Sequence, residues 1–518
     1  MRAQVSKPSK ISNFWEKSWA ILVIVGAGLL IRLWGIKSSL PYLYHWDETS
    51  NMLLILRMVR EKSFDPHWFH YPSLFLYAHG ALQDIAYLVG HALGKYGSRG
   101  YFHEPDLSSL GAGKTDAPLQ FLLGRLLTTA VGTASIWLGY LSAKRLFGSL
   151  GIALLAAALI AASPINIEHS RYITPDIWVV FFALCALWAS AGILKQGRVI
   201  DYALSGAFVG LCASSKYNGA LVACSVVGAH FLAAGLRVRR LPLLFLAGAA
   251  ALLAFAMTSP FFILDRNLAL HDVLQEQAHY SHGHPGLEGN VPVFYLRLLL
   301  SEEGGTLLVA LPAFVWACVS RNKPALVVSS FLIPYLIFIG RQMVRNDRTI
   351  LAAIPWLFIL AAWGVFELRI WLLDRGQQRY AQAVSLLAAL LVAWPLTQAL
   401  LHTSQFAGQN SRDTARVWID ENLPSHARLA VEGSGPYLDR SRFSVKAYLY
   451  LEARSPYWYR SHFDYLIVTD GGSGRFYETP GQYPAKVAQF DELFSKLKLL
   501  KRFTEGGYQI RVYATKAG

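Results

Sequence analysis

The sequence predicts a mainly α, polytopic membrane bundle of about eleven spans with a small soluble α/β domain at its C-terminal end. Three observations lead there. Of 518 residues, 54% are hydrophobic and 16% charged, with a mean hydropathy of +0.33, which leaves too little polar surface to cover a soluble globule of this size. Apolar runs recur from residue 19 to about residue 401 and then stop. Beyond them the composition is that of an ordinary soluble chain, dividing the protein into a membrane module, 1–402, and an α/β domain, 403–518.

A membrane-crossing helix needs about 20 apolar residues. Such runs lie near 19–36, 119–142, 149–165, 176–194, 202–218, 219–236, 241–262, 304–320, 324–341, 349–371 and 380–401. Basic residues cluster at alternate junctions: Arg2, Lys7 and Lys10; Lys144 and Arg145; Lys195 and Arg198; Arg237, Arg239 and Arg240; Arg321 and Lys323; Arg369, Arg375 and Arg379. The positive-inside rule puts these in the cytoplasm. The other junctions then face outward: a first external loop, 37–118, "SPINIEHSRYITPD", "SSKYNG", a second large loop, 263–303, "RQMVRNDR", and everything after residue 402. Basic residues between the apolar runs sit in such short clusters, where they orient helices, so nucleic acid is not an expected partner. The first run lacks a small-residue cleavage site and is expected to remain as the first helix. Segment 71–94 is long enough to span, but His79, Gln83, Asp84 and His91 make a polar stripe along it. A helix along the outer interface is preferred, because one more span would reverse every later charge cluster.

From residue 411 the helix "DTARVWIDENL", the strands "ARLAVEG" and "DYLIVTD", the helix "PAKVAQFDELFSKLKL" and the strand "YQIRVYAT" succeed one another as in a small α/β domain. Its role is either to position an acceptor or to brace the outer loops. "DGGSGR" (470–475) follows an apolar strand but lacks the Lys-Ser/Thr ending of a phosphate-binding loop, and reads as a plain loop. The four cysteines all fall in apolar segments, so no disulfide framework is implied.

The outward junctions collect ionisable and aromatic side chains: His45, Trp46, Asp47 and Glu48; His67, Trp68, His70 and Tyr71; Glu168 to Asp176; Lys216; His279, His282 and His284; Arg341 to Arg348. Charges at membrane depth cost about a few kcal/mol each unless paired or wetted, so their concentration at one face suggests a polar cavity open to the outside. Acids beside cations there suit a substrate that brings phosphate on a lipid tail and a hydroxyl from the water side. Arg or Lys would neutralise charge on a phosphate leaving group, while a carboxylate takes the proton of the incoming hydroxyl. Asp47 is the candidate base, with Glu48 beside it raising its basicity by like-charge repulsion. The pair also suits a helix start, since "DETSNMLLILRMVREK" reads as an amphipathic helix and acids favour the N-terminal dipole.

These residues carry a resemblance. The Asp-Glu pair after the first span, "HYPSLF", "GRLLTTAVGTASIWLGYLSAKRLFG", "SPINIEHSRYITPD", "LCASSKYNG" and "RNDRTILAAIPWLFILAAWG" resemble, in that order, the bacterial polyprenyl-phosphate-dependent glycosyltransferases. Those are relatives of the dolichyl-phosphate-mannose protein mannosyltransferases and the aminoarabinose transferase, with the GT-C membrane fold. The resemblance covers roughly residues 19–400. It implies transfer of a hexose or pentose, with inversion, from a lipid-phosphate carrier to a glycan, lipid or protein acceptor on the extracytoplasmic face of a bacterial inner membrane. It implies Asp47 as base with Glu48 beside it, and Lys216 and Arg348 facing the carrier phosphate. "RYITPD" supplies Arg171 and Asp176 of an R-x-x-x-P-D pattern. Where relatives read Lys-Pro-Pro or His-Pro-Pro, this chain has His70-Tyr71-Pro72.

Arg341 and His282 join the candidates for the donor phosphate, although Arg341 and Arg348 also fit span ends that snorkel to head groups. His45, His70, Tyr71, His169, Arg171, Asp176, His279 and His284 are candidates for touching substrate or holding the groups that do. Arg32 and Arg125 are expected to pair structurally with acids of the first loop. "HYSHGHPG" offers three histidines, but glycine and proline give them no fixed face, so a lid over sugar or phosphate is preferred to a metal site. No cofactor is expected; a divalent cation held by His45, Asp47 and Glu48 is the conceivable exception. The rival reading is a transporter or flippase for lipid-linked sugars, which would favour internal repeats and charge near mid-membrane. No repeat is seen.

Overall fold

The computed structural model describes residues 12–99, 102–235, 237–452 and 454–516, with side chains described from residue 19 onward except at 109. The first basic cluster, Arg2, Lys7 and Lys10, lies outside the described residues. Helix α1 (Ser12–Leu33) leads to β1 (Tyr42–Leu43), α2 (Trp46–Glu61), α3 (Leu74–Ala92), β2 (Asp106–Ser109) and β3 (Ala112–Lys114). The bundle continues through α4 (Pro118–Phe147), α5 (Leu150–Ala162), α6 (Pro164–His169), α7 (Asp176–Lys195), α8 (Val199–Ser215), α9 (Ala223–Ala234) and α10 (Leu241–Thr258). Short α11 (Phe261–Leu264) precedes α12 (Arg266–His282), α13 (Val291–Ser301), α14 (Thr306–Val319), α15 (Lys323–Gly340), α16 (Asp347–Ile350), α17 (Ile354–Asp374) and α18 (Gln378–Ala407).

Each of the eleven expected runs coincides with a helix, but not every one is long enough to stand as a span by itself. Among the described residues seven helices are long and apolar enough to cross a membrane: α4, α7, Tyr217–Ala234, Val238–Thr258, α15, α17 and the helix beginning at Gln378. α13 and α14 pass only as a pair, bent by 110° at the break between them, and Trp19–Leu33, α5 and α8 are shorter apolar helices. The physical reason is local. Ser163 caps α6 through Asn166 N–H (3.2 Å) and so ends α5 early, while Lys216 adopts extended backbone and stops α8.

Burial sorts the helices. α17 is buried on every side from Ile354 to Trp363, as an all-apolar helix at the centre of a bundle must be. α10 buries only Ala247 and presents Phe245, Leu252 and Met257 outward. It touches its neighbour α8 through small residues: a Cβ at Gly206 would strike the backbone of Ala247, and one at Gly210 that of Ala251. α3 also departs from a simple picture. Half of its polar stripe faces inward, with His79 Nε2 at 3.2 Å from Thr128 Oγ1 and the Gln83 amide donating to the Gln120 carbonyl, while Asp84 pairs with Arg99 (2.8 Å), and His91, Ile85, Leu88 and Val89 are exposed. Segment 263–303, expected as a loop, is largely helical, being mostly α12 and α13.

After α18 come α19 (Ser411–Asn422), β4 (Arg428–Glu432), β5 (Ser444–Tyr448), α20 (Pro456–His462), β6 (Tyr465–Thr469), α21 (Pro484–Ser495), β7 (Lys498–Phe503) and β8 (Ile510–Ala514). The sheet order is β5-β4-β6-β8-β7, parallel across β5-β4-β6 and antiparallel across β6-β8-β7. Alternation along the strands feeds two cores: Leu429, Val431 and Ile467 pack with Ala415 and Ile419 of α19, while Leu466 and Val468 pack with Phe490 and Leu493 of α21. "DGGSGR" is a turn closed around a carboxylate of the chain itself: Glu432 accepts from Thr469 N–H (2.8 Å), Ser473 Oγ (3.1 Å) and Leu451 N–H (2.8 Å). That acid fills the place an anion would need.

This sheet region is tied to segments 37–118 and 263–303. Tyr437 donates to Asp106 (2.6 Å), Leu438 N–H to Ser108 Oγ (2.9 Å), and Arg412 to the Tyr44 carbonyl (2.9 Å). Tyr483 donates to Glu288 of the segment between α12 and α13. Of the two roles expected for this region, bracing is the one these bonds perform. One prediction follows from the α8–α10 contact. Gly206→Val should force the helices apart at a cost of ~1–3 kcal/mol, read as a lower unfolding midpoint in detergent; an unchanged midpoint would show that the contact is not tight.

Candidate active site

Two adjacent acids at the start of α2 part company. Successive helix residues point roughly 100° apart, and Glu48 turns inward where Asp47 turns outward. Glu48 is fully buried in a two-pronged ion pair with Arg125 of α4 (Nε to Oε1 2.8 Å, Nη2 to Oε2 2.7 Å). Arg125 Nη1 also donates to the carbonyls of Ile36 (3.0 Å) and Ser38 (3.1 Å). Asn51, one turn along, donates to the Ile173 carbonyl (2.9 Å). The expectation of a direct catalytic part for Glu48 is thus corrected: both its oxygens are committed where water does not reach, and its work is to anchor α2. Arg125 pairs with a first-loop acid as expected. Arg32 does not; its guanidinium donates to Ser170 Oγ (3.2 Å) and to carbonyls of Gly28, Ile160 and Ala161.

Asp47, partly exposed, is ion-paired with Arg348. Arg348 is set by the short helix α16, which Asn346 caps through Thr349 N–H (2.9 Å) and Tyr335 holds by donating to the Thr349 carbonyl (2.6 Å). The preceding residue, Asp347, pairs with His169 Nε2 (3.2 Å). Burial alone would lower the pKa of His169, but the charge of Asp347 and its hydrogen bond raise it from 6.5 to about 9. His45 lies close by, stacked on Tyr172 at 4.0 Å. Burial, followed by the charges of Arg348, His169 and Arg125, holds His45 well below 6.5, so its Nδ1 is free to accept from Glu48 N–H (3.2 Å) as a helix cap. A cation shared by His45, Asp47 and Glu48 therefore finds all three engaged elsewhere. One other group could hold a metal among the described residues: Asp65, His67 and Asp265, with ligand atoms within 4.8 Å of one another.

Lys216 is buried against Asp176 (Nζ to Oδ1 2.8 Å) and lies 5.4 Å from the centre of the Tyr71 ring. Lys216 and Arg341 line a cavity of about 740 Å³ whose remaining wall includes Tyr280 and the apolar face Ile333, Ile337 and Phe338 of α15. Those three α15 residues are 39%, 52% and 40% exposed, so the cavity opens along the outer surface of the bundle. Among the described residues the Arg341 guanidinium has no hydrogen-bond or ion-pair partner, which makes it the free cation of this space. A second cavity, about 550 Å³, is lined by Asp47, Trp46, Trp68 and Glu104. His70, Tyr71 and Glu276 line both. His70 Nδ1 is 3.4 Å from Glu276 Oε2, and that bond raises its pKa above 6.5.

The other expected residues fall outside this pair of cavities. Arg171 braces helices, donating to Ile31 O (2.6 Å) and Thr403 Oγ1 (2.8 Å), and lines a third cavity of about 260 Å³ beyond His45. His279 and His284 contact each other, ring centres 4.7 Å apart, while His282 is exposed and bonds to the Ala278 carbonyl. None of the three lines either of the adjoining cavities; on α12 their neighbours Gln277, Tyr280 and Ser281 do. Glu276 was not anticipated. It sits on α12, in a stretch read as a loop, and the signal available was Asp272 and Glu276 one turn apart, with Asp272 accepting from Phe69 N–H (2.8 Å).

Two predictions follow. Glu48→Ala leaves Arg125 buried and unpaired, costing about 3–5 kcal/mol; unfolding in detergent should show it, and a variant as stable as wild type would deny the anchor. The His169–Asp347 pair has its own pH signature. A histidine raised to about 9 contributes stability in full below its ordinary 6.5 and loses it as pH climbs through 9. Stability measured from pH 6 to 10 should therefore fall less in His169→Asn than in wild type; parallel curves would remove the pair.

Comparison with known proteins places this geometry. Residues 120–263 match the family model described as dolichyl-phosphate-mannose-protein mannosyltransferase. No curated protein sequence matches the chain. The structure is similar to ArnT from Cupriavidus metallidurans bound to undecaprenyl phosphate, with TM-score 0.54, 15% identity, and 96% of this chain and 98% of that chain covered. It is also similar to the oligosaccharyltransferase AglB from Archaeoglobus fulgidus in complex with an inhibitory peptide and a dolichol-phosphate, with TM-score 0.51, 13% identity, and 98% of this chain and 75% of that chain covered. The chain thus has the GT-C fold of these proteins, and its residues 120–263 match the model of the dolichyl-phosphate-mannose-protein mannosyltransferases, a relationship its motifs led one to expect.

Proposed function

We propose that this protein transfers a sugar from a polyprenyl-phosphate donor to a hydroxyl acceptor on the extracytoplasmic face of a bacterial inner membrane. The observation that carries the reading is the pair of adjoining cavities: cations and an apolar helix face in one, Asp47 in the other, and a shared wall of His70, Tyr71 and Glu276. A lipid tail lies along Ile333, Ile337 and Phe338, its phosphate meets Arg341 and Lys216, and the sugar points across the shared wall. The topology that goes with this has eleven crossings, the four shorter or broken helices included, a cytoplasmic N-terminus, and the domain 403–518 outside.

In the reaction Asp47 takes the proton of the acceptor hydroxyl as its oxygen attacks the anomeric carbon. The bond from that carbon to the phosphate oxygen breaks with inversion, and its electron pair leaves on the phosphate, where the cations neutralise it. A carboxylate held by a guanidinium is a poor base. An arriving phosphate competes for Arg348, and Asp47 is released only when the donor is in place. The bilayer keeps the carrier local and aligned. The similarity to ArnT, solved with undecaprenyl phosphate, and to AglB, solved with a dolichol-phosphate, supports a donor of this class.

The test is purified protein in lipid nanodiscs with polyprenyl-phosphate hexoses and pentoses and a panel of hydroxyl acceptors, with released lipid phosphate measured. Asp47→Asn should lower release about 10²–10⁴-fold, and Arg341→Ala should raise the donor KM. Equal release by wild type and Asp47→Asn would remove the base. In liposomes, passage of intact donor across the bilayer without cleavage would favour the transporter reading.

A further inference from the structure

The two cavities differ in charge in a way that bears on which sugar can enter. The space beside α15 has on its wall Lys216, paired with Asp176 behind it, Arg341, unpaired among the described residues, the imidazole of His70 and one acid, Glu276. The space beside α2 sets three carboxylates, Asp47, Glu104 and Glu276, against the single guanidinium of Arg57 and the imidazole of His70. Arg57 is already engaged with the Pro66 carbonyl (2.8 Å), and Glu104 pairs outward with Arg60 (2.8 Å). Glu276 is the acid common to both spaces. Its side chain is 23% exposed, and its Oε2 is 3.4 Å from His70. Among the described residues its Oε1 has no hydrogen-bond partner.

Beside it, Trp68 stands edge-on to Tyr71 with ring centres 5.3 Å apart, and Trp46 and Trp68 both line the Asp47 cavity. Flat aromatic faces flanked by a few acceptor oxygens fit an amphipathic ring that offers hydrogen-bond donors. A carboxylate accepts from hydroxyl or amine groups and repels a second carboxylate.

We infer that Glu276 is a specificity-determining residue at the passage between the two cavities, accepting a hydrogen bond from the donor sugar and confining the enzyme to sugars that carry no acid group. This rests on the donor reading above and adds the class of sugar to it. Glu276 does no bond-making. Its unpartnered oxygen meets the sugar while the phosphate stays with Lys216 and Arg341, so the effect belongs to the sugar and not to the carrier.

Binding is the right measurement, because it needs no acceptor. Wild type and Glu276→Gln, in nanodiscs, are compared with three lipids: bare polyprenyl phosphate, the polyprenyl-phosphate hexose, and the same lipid with the hexose oxidised to the carboxylate at C6. Wild type should prefer the neutral hexose over its acid by at least about tenfold, since like charges face each other across the passage. Glu276→Gln should shrink that preference by about threefold or more while bare polyprenyl phosphate binds within about twofold of wild type, which certifies the fold and the phosphate site. A wild type without the preference, or a variant that keeps it in full, overturns the inference and leaves the donor reading standing. A wild type that binds none of the three lipids overturns both.

Discussion

The buried pair between Glu48 and Arg125 is the constraint on which the rest of the site depends. It joins the first turn of α2 to α4, and through the Ile36 and Ser38 carbonyls it holds the chain leaving α1 as well. With both charges removed from water, the pair tolerates no half-measures: either partner left alone would be an uncompensated ion in the interior. Because α2 is locked by one face, the neighbouring position is locked by helix geometry on another, and Asp47 is presented to the solvent-facing cavity. An acid pair in the sequence becomes one buried structural acid and one acid on the wall of a cavity.

From that division the electrostatic plan unfolds. Cations gather where α8 and α15 end, at Lys216 and Arg341, and carboxylates gather around α2 and α12, with Glu276 at the passage between. A phosphate ester of a sugar is itself polar in this sense, anionic at one end and rich in hydroxyls at the other. The arrangement would orient such a molecule before any reaction. The sheet region keeps the long inter-helix segments in register, Tyr437 and Leu438 bonding to the β2 strand and Tyr483 to Glu288. Bonds of this kind add little stability singly, and their value lies in holding loops that have no core of their own.

Where the physics is local, the sequence was a good guide. The runs that became helices, the junctions that became the site, and the central strands β4, β6 and β8 carry apolar patterns that no other environment would satisfy. The edge strands β5 and β7 were missed for the matching reason. Both alternate weakly and are largely exposed, and the "KLLKRF" of β7 follows α21 so closely that one helix seemed to continue. Charged edge strands are common because they discourage further pairing, and the same charges hide them. Helix ends were hidden similarly: composition marks an apolar run, but Ser163 and Lys216 decide where its helix stops.

What the amino-acid sequence determined by itself is the kind of protein: a membrane bundle, ionic junctions between its helices, an acid pair after the first helix, and motifs that resemble those of a known glycosyltransferase family. These follow from hydropathy, charge and spacing, which act over a few residues. Only the tertiary structure decided that Glu48 would meet Arg125, 77 positions away, that Lys216 would be neutralised by Asp176 while Arg341 stayed free, and that Glu276 would stand between the cavities. Partner choice among charges is a matter of distance in a low-dielectric space, and distances across the fold are not written in any short stretch of chain.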